Sequence, residues 1–216
     1  MKILQLGLMK YDEALALMEE LHGAVASDPS HNETLIVVEH PPVVTMGLRD
    51  RTTDLVTPLA LLAEQGVDFQ KIDRGGSVTV HEPGQLVLYP IVRVDARRMT
   101  VRRLVWALEE IMILECARWG VTAARDEINP GVWVGPNKVG AVGVRVQNHV
   151  SKHGLALNIR NSLGTFSHVV PCGIHGRGVI SLQSAVSTPI SEMNLPRIGT
   201  RMAADFENMV VNFRRE

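Results

Sequence analysis

The chain has 216 residues, 45% of them hydrophobic and 21% charged, the profile of a globular protein long enough to bury a real core in one domain or at most two. Lys and Arg number 22 against 23 Asp and Glu, which argues against a nucleic-acid-binding surface. No stretch is long and apolar enough to cross a bilayer, the first residues lack the apolar run of a signal peptide, and the two cysteines, Cys116 and Cys172, make no disulfide framework. A cytoplasmic protein with neither a nucleic-acid nor a membrane partner is expected.

Residues 11–26 carry Leu15, Met18, Leu21 and Val25 at helical spacing. An extended run follows from Thr34 to Glu39 and stops at Pro41-Pro42. Asp54 to Gln65 reads as a short helix, with Asp54 as its N-cap and Gly66 as its stop. Gln85 to Val92 reads as a strand, in which Pro90 points to a sheet edge or a bend. Thr100 to Trp119 is the clearest helix, striped by Leu104, Leu108, Ile111 and Met112 and closed by Gly120; Cys116 falls within it and is expected to be buried and inert.

Residues 131–134 and 138–146 are strand-like and flank Gly135-Pro136-Asn137, a hairpin connection. Leu155 to Ile159 is a further short strand, and Thr200 to Phe213 a tail helix with Met202, Phe206, Met209, Val210 and Phe213 on one face. Helices and strands interleave, yet several strands meet through short turns. The pattern predicts one α/β domain over 1–216 with a mixed β-sheet flanked by helices.

Four segments could carry chemistry. Cys172 lies where Pro171 ends regular structure and Gly173 permits close approach, a setting for a nucleophile, though free cysteines commonly just pack. Arg74-Gly75-Gly76-Ser77-Val78-Thr79-Val80-His81 pairs a forked donor with two glycines; if extended, it points Thr79 and His81 to one side. The alternative is a hairpin turn with incidental polar residues, and a phosphate loop is excluded because no Gly-Lys-Ser/Thr ending follows. Lys138 opens a strand interleaved with Gly140 and Gly143 and is either a solvated lysine or the wall of a cleft. Small residues recur in Ser151 to Asn158. A metal reading of His168, Cys172 and His175, or of His149 and His153, lacks a second cysteine pair and meets Pro171 in mid-pattern, so no metal is expected.

Arg74 to Tyr89 has the form Arg-Gly-Gly-x-x-Thr-x-His-x-Pro-Gly-Gln-x-x-x-Tyr, and Lys138 to Arg145 the form Lys-x-x-x-x-Gly-x-Arg, followed by His153-Gly154-Leu155-Ala156-Leu157-Asn158 and Pro171-Cys172-Gly173. With Glu39 to Gly47 upstream, these segments resemble the lipoate-biosynthesis octanoyltransferases, the lipoyl(octanoyl) transferase B family, over residues 35 to 183 in order. The resemblance implies the fold of the biotin and lipoate protein ligases. It implies that Cys172 takes an octanoyl group from octanoyl-acyl carrier protein as a thioester and passes it to a lysine of a lipoyl domain, in 2-oxoacid dehydrogenases or the glycine cleavage H protein. It gives Lys138 the task of supplying charge and shuttling protons for the thiol, and gives Arg74 to His81, Ala141, Val142 and Gly143, and Gly154, Leu155 and Ala156 the task of lining the acyl site. Thioester exchange is near energy-neutral and thioester to amide runs downhill, so no cofactor is expected.

Two alternatives stay open: an ATP-dependent lipoate or biotin ligase, and a non-catalytic module that binds a carrier protein. Glu82 stands where many family members carry Gly, and is expected to place a carboxylate at the cleft mouth; Ile180 replaces a common Thr. Arg93, Arg97, Arg98, Arg102 and Arg103 form the densest basic cluster, either a solvated helix start or a docking patch for an acidic carrier.

Overall fold

Thr34 to Glu39 is apolar at successive rather than alternate positions, as expected of a strand covered on both faces. The computed structural model, which describes residues 1–49, 52–95, 97–127, 130–170, 177–186 and 192–215, places it inside a large sheet. The elements run β1 (Lys2–Leu8), α1 (Tyr11–Ser27), β2 (Thr34–Glu39), β3 (Val43–Met46), a 3₁₀ turn (Thr52–Asp54), α2 (Leu59–Glu64), β4 (Asp68–Lys71) and β5 (Val78–His81). There follow β6 (Gln85–Ile91), α3 (Val101–Arg118), β7 (Ala124–Arg125), β8 (Val132–Val134), β9 (Asn137–Gln147) and β10 (Val150–Asn158). A 3₁₀ turn (Gly164–His168), α4 (Leu182–Ala185) and α5 (Leu195–Arg215) close the chain.

The large sheet has the order β1-β2-β6-β10-β9-β8-β7, with β1 and β2 parallel and the other neighbours antiparallel. A second sheet, β4-β3-β5, pairs β3 parallel to β4 and antiparallel to β5. One face of the large sheet packs Leu35, Val37, Leu86 and Leu88 against Leu104, Leu108, Ile111 and Met112 of α3 and Met202 and Phe206 of α5. The other packs Ile36, Val38, Val87 and Tyr89 against Tyr11, Met18 and Val25 of α1. The mixed sheet flanked by helices is therefore as the sequence predicts. Thr100 caps α3, its side chain accepting from the Arg103 N–H at 3.2 Å, and Cys116 is fully buried, its thiol pushed up to about 12 by burial and by Glu115 beside it.

Three expectations need correction. Pro90 is in the middle of the sheet, paired to Leu35 of β2 on one side. Its missing N–H is tolerated because the β6–β10 ladder, regular from Gln85 to Leu88, lapses beside it. There the Ser151 hydroxyl donates to the Pro90 carbonyl at 2.6 Å and accepts from the Val92 N–H at 3.1 Å. Asp54 caps no long helix: Pro58 delays α2 to Leu59, and the Asp54 carboxylate accepts from the Ser77 hydroxyl at 2.7 Å. The tail helix begins five residues early, at Leu195, because Pro196 is admissible in a first turn, and the Asn194 side chain accepts from the Arg197 N–H at 3.0 Å.

Three members of the basic cluster are bonded to backbone carbonyls at or just beyond helix C-termini. Arg93 donates to the carbonyls of Val25 in α1 and of Asp28 and His31 after it. Arg98 and Arg103 donate to the carbonyls of Arg214 and Phe213 at the end of α5.

Gly154 marks the tightest strand contact: a Cβ there would lie 2.0 Å from the Leu88 carbonyl oxygen and 2.7 Å from Pro90 Cδ. Both obstacles are on one backbone and cannot swing away. Gly154→Ala should lower stability by about 2–3 kcal/mol, as overpacking does. Gly23→Ala, at an exposed α1 position with nothing within 4 Å of the new carbon, should raise it by about 0.5–1 kcal/mol. Urea titration of the two variants measures the contrast; equal effects would remove the steric account.

Candidate active site

Between the two sheets lies a cleft of about 490 Å³ including its open mouth, walled by β5, β9 and β10 and by the loop before β5. All the residues expected to line an acyl site do so except Val80: Arg74 to Thr79, His81, Ala141 to Gly143 and Gly154 to Ala156. Val80 is fully buried on the opposite side of β5, among Val44, Leu62 and Val67. Alternation along β5 puts Thr79 and His81 on the cleft side and Val80 on the other, while Val78, at the strand's start, borders both the cleft and the core around Val80.

The Arg74-Gly75-Gly76 loop is held between two strands that approach it closely. A Cβ on Gly47 would lie 2.5 Å from the Gly76 carbonyl oxygen, and one on Gly143 would lie 3.0 Å from that of Gly75. The Arg74 guanidinium is buried and braces the loop, donating to the Thr45 carbonyl at 2.7 Å, the Thr45 hydroxyl at 3.0 Å and the Gly75 carbonyl at 3.1 Å. These bonds to protein groups make Arg74 a brace for the loop, a role that its place in the motif does not foretell.

Beyond the residues expected to line it, the cleft gathers the motif residues Tyr89 and His153 and also Tyr11, which lies outside the motifs. Tyr11 and Tyr89 are both tyrosines of the chain, and the pairing of an α1 residue with a β6 residue leaves no local sequence signal. The proton positions follow from the acceptors. His40 Nδ1 faces the Met9 carbonyl at 2.8 Å and must donate; His40 Nε2 then accepts from the Tyr89 hydroxyl at 2.9 Å, and Tyr89 accepts from Tyr11. Burial pulls His40 down to about 4 and His81 well below its usual range, so both rings are neutral at pH 7. His81 Nδ1 donates to Gln85 Oε1 at 2.8 Å, an acceptor fixed because Gln85 Nε2 donates to the Val80 carbonyl. His153, in a left-handed conformation with φ 57, meets Asp73 Oδ1 through Nε2 at 2.8 Å; burial nonetheless lowers its pKa. Neutral imidazoles and apolar strand surface suit an uncharged chain.

Lys138 is buried in an adjoining cavity of about 300 Å³ that shares Thr79, Ala141 and Ala156 with the cleft. Its Nζ donates to the Pro130 carbonyl at 3.0 Å and lies 4.8 Å from the centre of the Trp133 ring. The solvated alternative for this lysine is thereby removed. The chain at 177–180 runs alongside: the Lys138 N–H donates to the Gly178 carbonyl, and the Ile180 N–H to the Lys138 carbonyl. Ile180 thus acts here through its backbone, whose carbonyl also accepts from Asn158 Nδ2 at 3.2 Å. Cys172 lies outside the described residues, as does His175. Its flanks are fixed, by the Val170 N–H to the Asp54 carbonyl on one side and by Gly178 against Lys138 on the other. Among the described residues no group of three His, Cys, Asp or Glu side chains could hold a metal ion, and no helix is long and apolar enough to cross a membrane.

The lipoyl protein ligase A/B catalytic domain matches residues 10–207. An octanoyltransferase of Alkaliphilus metalliredigens is 40% identical over 88% of this chain and 87% of its own. The chain belongs to the octanoyltransferases of this catalytic-domain family. The mitochondrial octanoyl-[acyl-carrier-protein]:protein N-octanoyltransferase of Xenopus tropicalis is 41% identical over 88% of this chain and 80% of its own. The fold is that of lipoate-protein ligase A solved with ATP, at TM-score 0.73 and 15% identity over 100% of this chain and 94% of that one. It also matches the biotin protein ligase of Aquifex aeolicus, at TM-score 0.56 and 9% identity over 100% and 72%.

Glu82 overturns an expectation. It is buried and faces inward, Oε1 accepting from Asn161 Nδ2 at 2.9 Å and the Leu163 N–H at 2.6 Å, and Oε2 from the Thr165 N–H at 3.1 Å. It clamps the turn after β10 and attracts nothing at the mouth. Glu82→Gly strands these donors and should cost about 2–3 kcal/mol, lowering octanoyl transfer as the fold weakens; loss of transfer with Tm unchanged would restore the mouth role.

His40 supplies a pH test. Its folded pKa of about 4 lies below its ordinary 6.5, so below pH 6.5 the unfolded state binds more protons. Stability therefore falls with acidity between about pH 6.5 and 4, by on the order of 3 kcal/mol from this ring. His40→Gln should flatten that part of a stability–pH curve; an unchanged slope would assign the loss to other groups.

Proposed function

We propose that the chain, as one catalytic domain over 1–216, moves octanoyl groups from octanoyl-acyl carrier protein to lysines of lipoyl domains in two covalent steps. The observation that carries this reading is the buried Lys138 amine at the inner end of an apolar cleft, beside the chain that leaves the Cys172 segment. In the first step the Cys172 sulfur attacks the octanoyl carbonyl, the bond to the carrier's sulfur breaks, and the carrier leaves as a thiol. Lys138 carries the proton between the two sulfurs, and its charge favours the thiolate. In the second step the acceptor amine attacks the Cys172 thioester; an amide forms and the cysteine thiol returns. Each step is downhill or level, so no nucleotide is consumed.

The cleft supports the acyl class. Ala156 to His153 is three residues of strand, roughly 10 Å at about 3.3 Å per residue, a span that suits an extended eight-carbon chain between Lys138's cavity and the His153 end. The acceptors would be the lipoyl domains of 2-oxoacid dehydrogenases and the glycine cleavage H protein, and the site of action the cytoplasm. An ATP-dependent ligase on the same fold is the second reading, which the buried lysine beside the Cys172 segment disfavours.

Intact-mass analysis after mixing with octanoyl-acyl carrier protein tests the reading. A hydroxylamine-labile octanoyl adduct is expected, absent from Cys172→Ala, which should keep its fold and lose transfer. Lys138→Ala should slow adduct formation by at least about 100-fold, a general acid–base contribution. Lys138→Arg keeps charge without a readily lost proton and should be nearly as slow if proton carriage dominates. Transfer by Cys172→Ala at the parental rate would overturn the mechanism; a strict ATP requirement would favour the ligase.

A further inference from the structure

Trp133 holds two cations over one ring. Lys138, directly opposite it in the β8–β9 register, puts Nζ 4.8 Å from the ring centre, and Arg177 puts its guanidinium carbon 3.6 Å away. The indole is 4% exposed, so the ring acts in a largely dry setting, where a cation–π contact is strongest. Two like charges sharing a ring repel, and each is held by an oxygen partner: Lys138 by the Pro130 carbonyl at 3.0 Å, Arg177 by Asp126 Oδ2 at 2.5 Å and by the Pro136 carbonyl at 3.2 Å. Arg177 is the first described residue after the segment containing Cys172, and the next residue, Gly178, is bonded to the Lys138 N–H.

We infer that Trp133 is a positioning residue for the reaction: its ring fixes the Lys138 amine and, through Arg177 anchored on Asp126, the outgoing end of the Cys172 segment against the same surface. The inference rests on the role of Lys138 proposed above. The ring is a better anchor than an aliphatic side chain because its face attracts a cation from one direction. Four rotatable bonds otherwise let a lysine amine wander.

Alkylation of the parental protein by iodoacetamide, followed by intact mass, reads Cys172, since Cys116 is fully buried. Beside it stands the rate of acyl-enzyme formation at saturating octanoyl-acyl carrier protein. Trp133→Phe keeps an aromatic face and should stay within about 3-fold of the parent in both, whereas Trp133→Leu should lose about 30-fold, the equivalent of about 2 kcal/mol, with the KM for the donor unchanged. Arg177→Gln, at a partly exposed position that spares the core, should lose about 10-fold. In a Lys138→Ala background Trp133→Leu should add no more than the about 10-fold of the Arg177 arm to the loss in alkylation, less than its full penalty, because the arm through the amine is already gone.

Full activity in Trp133→Leu and Arg177→Gln, or an undiminished Trp133→Leu penalty without Lys138, overturns the positioning role while leaving Lys138 in place. Parental alkylation and acylation in Lys138→Ala would instead overturn the role of Lys138, and this inference with it. If Trp133→Leu does not fold, Trp133→Phe and Arg177→Gln decide: parental rates in Arg177→Gln, or equal losses in the two, count against the ring.

Discussion

The two sheets are tied together beside the cleft by the buried amide of Gln85. Gln85 opens β6 in the large sheet, accepts from His81 at the end of β5 in the small one, and donates to the Val80 carbonyl and to Asn158 of β10 at 2.9 Å. A primary amide can serve both directions at once, with two donors and one double acceptor, which no carboxylate or lysine could match here. Asn158 extends the network to the Ile180 carbonyl, and Asn161 bonds both Asn158 and Glu82. A buried chain of amides therefore runs from the cleft wall to the segment beside Lys138. Low local dielectric makes such a chain stiff when satisfied and costly when broken, so the cleft's shape and the lysine's surroundings are set together.

That stiffness has an electrostatic counterpart. The cleft contains His81 and His153 and is backed by His40, and burial keeps all three below their ordinary pKa, so these rings add polar atoms without charge. The Arg74 guanidinium in the same wall is buried and turned onto the Thr45 and Gly75 oxygens. At the rim Lys152 pairs with Glu19 and with Asp73, and Lys138 lines the inner cavity. An uncharged acyl chain could lie along such a wall, with the Lys138 amine near its carbonyl end.

The sequence makes the large elements legible and the small sheet almost invisible. The periodic apolar positions of α1, α3 and α5, and the two-face burial of β2 and β6, are written locally, because a long element must repeat its core residues. The strands β3 and β4 have only four residues each, and β3 pairs with segments far along the chain, β4 from Val43↔Asp68 and β5 from Val43↔His81. β1 has mostly exposed or half-buried positions and no apolar alternation strong enough to declare it. The motif residues of the cleft were found because short spacings such as Gly75-Gly76 and Thr79-x-His81 survive in one dimension. Tyr11 has no such signal, because it reaches the cleft from α1 only through tertiary contact. Val80 was included because a continuous motif does not say which of its residues turn away, although alternation along β5 decides it. Glu82 misled for a related reason: a carboxylate beside a motif looks like chemistry until the donors of a turn eighty residues later are seen to converge on it.

The shared fold with an ATP-bound ligase narrows what must differ between the two chemistries. Both need a dry channel for an acyl-like chain and a face open to a protein acceptor, and the sheet pair supplies these whatever activates the acyl group. Activation is the separable part. A ligase must create a reactive acyl group and so must bind a nucleotide beside the channel, whereas a chain whose donor arrives already as a thioester needs only a nucleophile and a proton carrier at the channel's inner end. In this protein that inner end is built from β9 and from the chain at 177–180 lying against it, tied at both Lys138 backbone atoms and again through the Trp133 ring. The construction fixes a lysine, not a phosphate-binding loop. On a fold shared with an ATP-bound ligase, it is in this local construction, rather than in the architecture, that the proposed transfer chemistry would be set.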